Sequence, residues 1–306
     1  MDGRRVVATL NKLHTHLALD SVDRGGTKDH READETAFFA VAPADAGWTD
    51  YQIIMWQPQT AAQYAALKRL GVTAGVVELD HAEEGSTPDD DEVAPLLEAD
   101  LRWYVENIAT DFYSPYHRWL PDQPKNWNFL AAKKLYRQNP SDPAAFTRSP
   151  SLSDADWLAK IRARLARTVQ NQRGYRPLYY NLGDEAGIAD LSAFWDFDLS
   201  PSSIAGMRKW LEGRYGSLFA LNEQWGTAFA GWDEVVPMTT QAAIKRADGN
   251  YSAWADFKEW MDVAFARALR AGTEAVHAVD PEALAAIEAL RSRAGAAMIM
   301  RGCRRP

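Results

Sequence analysis

The stretch "LYYNLGDEAG", residues 178–187, is a short apolar run that stops on two adjacent carboxylates, Asp184 and Glu185. Similar side chains stand after the other short apolar runs. Trp56 and Gln57 follow the first, Glu78 the second, Tyr113 and His117 the third, and Glu288 the fifth. A rim of carboxylates and aromatics suits glycoside hydrolysis. One carboxyl group protonates the leaving oxygen, another attacks or activates water, and ring faces hold the sugar. Partial burial at a strand end would raise the pKa of the acid partner. The plainer alternatives are a local cap for Asp184 and an ion pair with an Arg for Glu185.

These residues need a scaffold that gathers strand ends. "DYQIIMWQ" is an apolar run, "TAAQYAALKRLG" a helix with Thr60 as N-cap and Gly71 as stop, and "VTAGVVEL" a second run, which together make one βαβ unit. A helix is expected over "DDEVAPLLEADLRWYVENIA", a strand over "TDFYSPY", a helix over "SLSDADWLAKIRARLARTVQNQ" and a strand over "PLYYNL". Two helices jointed at Gly216 follow over "PSSIAGMRKWLEGRYGSLFALNEQWG", and one long helix over 250–280 leads to "ALAAIE". Short buried strands alternating with helices predict an α/β fold with a parallel sheet. "MWQPQT" after the first run contains no glycine-rich phosphate loop, so a (β/α)8 barrel is favoured over a doubly wound small-molecule enzyme. The five strands end near residues 54, 77, 113, 182 and 287, so the barrel is expected to be truncated after about five.

Composition removes other classes. Of 306 residues, 34 are basic and 42 acidic, and the net charge of −8 repels nucleic acid and anionic membranes. Cys303 is the only cysteine, so no disulfide framework or cysteine-based metal site is expected within one chain. The pair His14 and His16 lacks further ligands at useful spacing, so neither metal nor cofactor is expected. No apolar run reaches membrane-spanning length and no signal segment is visible, which predicts a cytoplasmic protein; an upstream start could change that compartment. The 12 Trp residues can fill a core or line a sugar cleft.

From Asp184 to about Thr240 the chain resembles glycoside hydrolase family 42, the β-galactosidases. The block carries Trp210, Leu211, Arg214, Tyr215, Gly216, Leu218, Leu221, Asn222, Trp225, Gly226, Thr227 and Phe229, then Trp232, Glu234 and Pro237. The resemblance implies a retaining barrel with Glu185 as general acid/base, while the strand-end positions supply the expected substrate-binding set of Asp184, Trp56, Glu78, Tyr113, His117 and Glu288. It implies a carbohydrate substrate, and homotrimers among intact relatives. Asp184 stands where the family has an Asn that donates to the sugar 2-hydroxyl; an ionised Asp can only accept. The family's nucleophile lies on the seventh strand, so Glu288 reads as a cleft wall. A non-catalytic sugar binder is the alternative.

The domain reading is a partial β-rich segment over 1–48, the barrel portion over 49–288, and an aberrant tail over 289–306. That tail, "ALRSRAGAAMIMRGCRRP", holds five Arg and the lone Cys and supplies no βα unit. It is expected to arise from a reading-frame shift just after Glu288.

Overall fold

The computed structural model describes residues 51–78, 90–114, 122–123, 127–188 and 196–287. His14, His16, His117, Glu288, the segment 1–48 and the tail 289–306 lie outside them. The chain divides into units Met1–Tyr51 and Gln52–Pro306, and every element below belongs to the second.

Helix α1 (Ala61–Arg69) begins with a reciprocal cap, in which the Gln63 amide donates to Thr60 Oγ1 at 3.3 Å and the Thr60 amide donates to Gln63 Oε1 at 2.9 Å. Gly71, at φ 99°, turns the chain into β1 (Ala74–Glu78). Helix α2 (Asp90–Glu98) leads through Asp100 at φ 51° into β2 (Arg102–Glu106). Next come α3 (Thr110–Tyr113), α4 (Trp127–Gln138), α5 (Ala155–Gln172) and β3 (Tyr180–Asn181). Helices α6 (Pro201–Tyr215) and α7 (Leu218–Trp225) meet at Gly216, whose φ of 70° makes the predicted joint. Helices α8 (Thr240–Ile244) and α9 (Ser252–Val279) return the chain to β4 (Ala285–Ala286).

The strands form one parallel sheet in the order β1-β2-β3-β4, and Ile54 adds a parallel bridge to Ala74. Chain order matches sheet order and helices lie between the strands, which is the arrangement of a partial (β/α)8 barrel. One correction concerns the third strand. It was expected over "TDFYSPY", but it is "RWYVE", and residues 110–113 of the expected strand are helical instead. The aromatic and β-branched run 103–105 follows the left-handed turn at Asp100, which stops the helix that apolar periodicity would extend through it.

Two cores result. The first lies between the sheet and its helices, where Val77, Val105, Tyr180 and Leu182 pack with Tyr64, Leu96, Leu165, Val169 and Phe265. Gly75 is required there, because a Cβ would come within 2.5 Å of Leu96 Cδ2 and 2.8 Å of the Tyr64 hydroxyl. The second core joins Met207, Leu211, Leu221, Trp225, Val235, Phe257 and Trp260. Helix α9 serves both, with Phe257 and Trp260 in the second and Phe265, Ala268 and Val276 in the first.

Candidate active site

Alternation along the strands sorts their side chains onto two faces. Val105 and Tyr180 face the helices. The opposite face carries Tyr104, stacked on Tyr179 with ring centroids 4.6 Å apart, and by the same parity Glu106 and Asn181. This face ends in a polar cluster at the C-terminal ends of the strands.

Glu78 and Glu106 stand opposite each other in register at the ends of β1 and β2. Glu78 is exposed, whereas Glu106 is only 2% exposed. Trp56, 57% exposed beyond the first apolar run, donates its Nε1 hydrogen to Glu106 Oε1 at 2.9 Å. A buried carboxylate at a strand end is thus held by the edge N–H of a largely exposed indole. Glu106 was missed in the sequence because the helix expected over 90–109 swallowed β2; the run "RWYVE" was the available signal.

The ends of β2 and β3 interlock. Ile108 donates to the Asn181 carbonyl and Ala109 to the Leu182 carbonyl, both at 3.0 Å. The Asn107 side chain accepts from the Asp184 amide at 3.0 Å, and Asn181 Oδ1 accepts from the Gly183 amide at 3.0 Å. Asn181 is completely buried and its Nδ2 has no hydrogen-bond partner among the described residues. An orphaned amide of this kind costs stability and marks strain or a functional demand.

Asp184 and Glu185 are both half-buried just past β3. Glu185 has φ 48°, a left-handed conformation that non-glycine residues avoid, and its amide donates to Asp184 Oδ1 at 2.7 Å. Asp184 therefore caps the turn, as its position suggested. Its carbonyl accepts from the Ser114 hydroxyl, and the Gly187 amide donates to the Tyr113 carbonyl at 3.0 Å. The segment bearing Glu185 is thus stitched to the end of α3.

The structure brings Trp56, Glu78, Asp184 and Glu185 to the strand ends and adds Glu106, Asn107 and Asn181. It does not bring Tyr113 there. That ring is fully buried, and its hydroxyl donates to the Ala268 carbonyl of α9 at 2.8 Å. Burial pushes its phenol well above the usual range. The reason is the shifted third strand: Tyr113 sits on a helix after β2 and points into the core. His117 and Glu288 lie outside the described residues. Among the described residues, no group of three or more His, Cys, Asp or Glu could hold a metal ion.

The block 201–264 is built differently. Tyr215 and the Trp225 indole both donate to Asp256 Oδ2, at 2.6 and 2.7 Å. Asn222 accepts from Thr227 Oγ1 at 2.8 Å and from the Phe229 amide at 3.0 Å, and donates to the Phe229 carbonyl at 2.9 Å. Arg214 lies over the Trp210 ring and pairs with Glu259 at 2.7 Å. These polar groups satisfy one another and hold α6, α7 and α9 together.

Parallel strands, outer helices and polar groups at the strand ends define a partial (β/α)8 barrel. Residues 179–287 match the model of the family Glyco_hydro_42, described as beta-galactosidase. No curated protein matches the chain by sequence. Solved structures with the same fold include the beta-galactosidase of Bacillus circulans sp. alkalophilus, at 12% identity and a TM-score of 0.51, with 77% of this chain and 35% of that one covered. The beta-galactosidase of the psychrophilic Marinomonas ef1 gives 16% identity and a TM-score of 0.53, covering 77% of this chain and 36% of that one. The catalytic domain of beta-amylase from Paenibacillus polymyxa gives 17% identity and a TM-score of 0.51, covering 74% and 63% respectively. The chain spans about a third of the length of the two beta-galactosidases. Among the described residues, no helix is long and apolar enough to cross a membrane.

Proposed function

We propose that the strand-end cluster is the acid/base side of a glycosidase site acting on a terminal galactoside or a related sugar by double displacement. Glu185 is the general acid/base in this reading. The observation that carries it is the placement of Glu185, half-buried just past β3, inside the segment that matches the family. The leaving oxygen would lie over that strand end, where a half-buried carboxyl group can deliver a proton. Trp56 offers a ring face to the sugar, Glu78 and Glu106 accept from its hydroxyls, and Asp184 fixes the turn. The nucleophile belongs to a later strand than those described.

A non-catalytic sugar-binding role is the second reading, favoured by Asp184, whose Oδ1 is engaged by the Glu185 amide where the family has a donor Asn. Hydrolysis of a panel of aryl glycosides separates the two, measured on the chain continued in its restored reading frame, so that the later strands are present, and on the Glu185→Gln form of it, with the first-formed anomer read by NMR. The enzyme reading expects a β-galactoside to be cleaved with the β-anomer appearing first, and Glu185→Gln to lower the rate by roughly 10²-fold or more. Sugar binding without turnover in either form would establish the second reading. Neither binding nor turnover would end both.

A further inference from the structure

The Glu185 segment is gripped from below by a buried cation. Arg148 is only 3% exposed, and its guanidinium donates to five backbone carbonyls. Nε reaches the Ile188 carbonyl at 3.1 Å, and Nη1 reaches that of Pro150. Nη2 reaches the carbonyls of Phe112 at 2.6 Å, Gly187 at 3.2 Å and Tyr113 at 3.4 Å. One planar fork therefore joins three chain segments, and one of them begins two residues after Glu185.

The fork is itself fixed. The Arg148 amide donates to Asp198 Oδ1 at 3.0 Å, and the Asp198 carboxylate also accepts from the hydroxyls of Ser151 at 2.6 Å and Ser200 at 2.8 Å. On the other side of Glu185, the Asp184 carbonyl is held by Ser114. Glu185 thus lies between two ties, with φ 48°. A left-handed residue in a loop relaxes unless its surroundings over-determine it. Lys in place of Arg148 would offer three donors from a point charge and could not span these carbonyls.

We propose that Arg148 is a positioning residue for Glu185, holding the 184–188 turn so that the carboxyl group stays aimed at the strand-end site; the catalytic part of this inference rests on the function proposed above. Arg164 supplies the control. It grips the same short helix α3 through Asp111, with Nη2 3.1 Å from Oδ2.

The test compares Arg148→Lys with Arg164→Lys on two β-galactosides, one with a phenyl and one with a dinitrophenyl leaving group. Phenoxide needs the acid's proton and dinitrophenoxide hardly does, so a misplaced acid separates the substrates whereas loss of folded protein lowers both alike. The expected result for Arg148→Lys is a loss of roughly 10²-fold in kcat/KM on the phenyl substrate and a much smaller loss in kcat/KM on the dinitrophenyl one, because kcat/KM reports the acid-assisted first step alone. Arg164→Lys should change both equally. Equal losses in Arg148→Lys would overturn the proposal. Should that variant not fold, Asp198→Asn, which weakens the support of the fork, carries the same expectation at smaller size. If the parent chain cleaves neither substrate, the functional reading fails by itself and amide exchange reports on the clamp. Exchange at 184–188 should then rise at least about tenfold in Arg148→Lys while α5 is unchanged, and unchanged exchange at 184–188 would overturn the inference.

Discussion

The two polar centres of this chain are organised on opposite principles. Around Asp256 the donors and acceptors of α6, α7 and α9 close on one another, with Tyr215 and Trp225 sharing one carboxylate oxygen. At the strand ends, Asn181 keeps a buried amide without a partner among the described residues, and Asn107 and Glu185 sit at φ 58° and 48°. Closed networks stabilise a fold. Strained and incompletely satisfied groups cost stability and are retained where a site needs them. The part of the matched segment that is easiest to recognise in the sequence is thus the architectural one, and the proposed chemistry falls on the less conspicuous turn.

That contrast can be broken by substitution. The largest stability effect is expected from Asp256→Ala, which strands the Tyr215 hydroxyl and the Trp225 indole and removes a partner of Arg214. A loss of about 3 kcal/mol in denaturant unfolding follows. A loss below about 1 kcal/mol would show that the helical block does not depend on this network.

Gly272→Ala comes next, since a Cβ there would meet the Tyr113 hydroxyl and lie 3.0 Å from Leu182 Cδ1. Overpacking costs about 1–3 kcal/mol. Removing the hydroxyl makes room, so the double variant with Tyr113→Phe should lose less than the sum of the two singles, and strict additivity would place the clash elsewhere.

Tyr113→Phe alone forfeits the bond to Ala268, for about 1 kcal/mol. Burial raises the Tyr113 phenol, so the native state keeps a proton that the unfolded chain loses near pH 10. Its contribution is full below that pH and is lost as pH rises toward the folded value. The same holds for Tyr180, raised by burial and by Asp280. Stability should fall above about pH 10, and Tyr113→Phe should make that fall shallower. An unchanged slope would contradict the burial of the phenol.

A stability effect comparable to that of Tyr113→Phe, about 1 kcal/mol, belongs to Trp56→Phe, because the ring is largely exposed but its N–H serves the buried Glu106 carboxylate. It should also weaken sugar affinity, by releasing Glu106 and shrinking the ring face. A loss of stability with affinity intact would make Trp56 architectural.

Much of the scaffold was legible because local chemistry dictates it. The N-cap at Thr60, the glycines at 71 and 216 and the long stripe of α9 each fix one element. The strand at 102–106 was not, because apolar spacing continues smoothly from α2 into "RWYVE" and only the left-handed Asp100 breaks it. That single shift hid Glu106 and misplaced Tyr113. The adjacent carboxylates at 184 and 185 were visible from the strand that ends before them. Arg148 was not, since its partners are carbonyls of segments up to 40 residues away, and no side-chain pattern reports a backbone acceptor.

The most direct test of the division between architecture and chemistry is turnover per folded molecule, measured with the unfolding midpoint, for Glu185→Gln beside Tyr215→Phe. We predict that Glu185→Gln loses roughly 10²-fold or more in turnover at an unchanged midpoint, and that Tyr215→Phe lowers the midpoint and leaves turnover per folded molecule intact. Turnover lost in Tyr215→Phe and kept in Glu185→Gln would contradict the account.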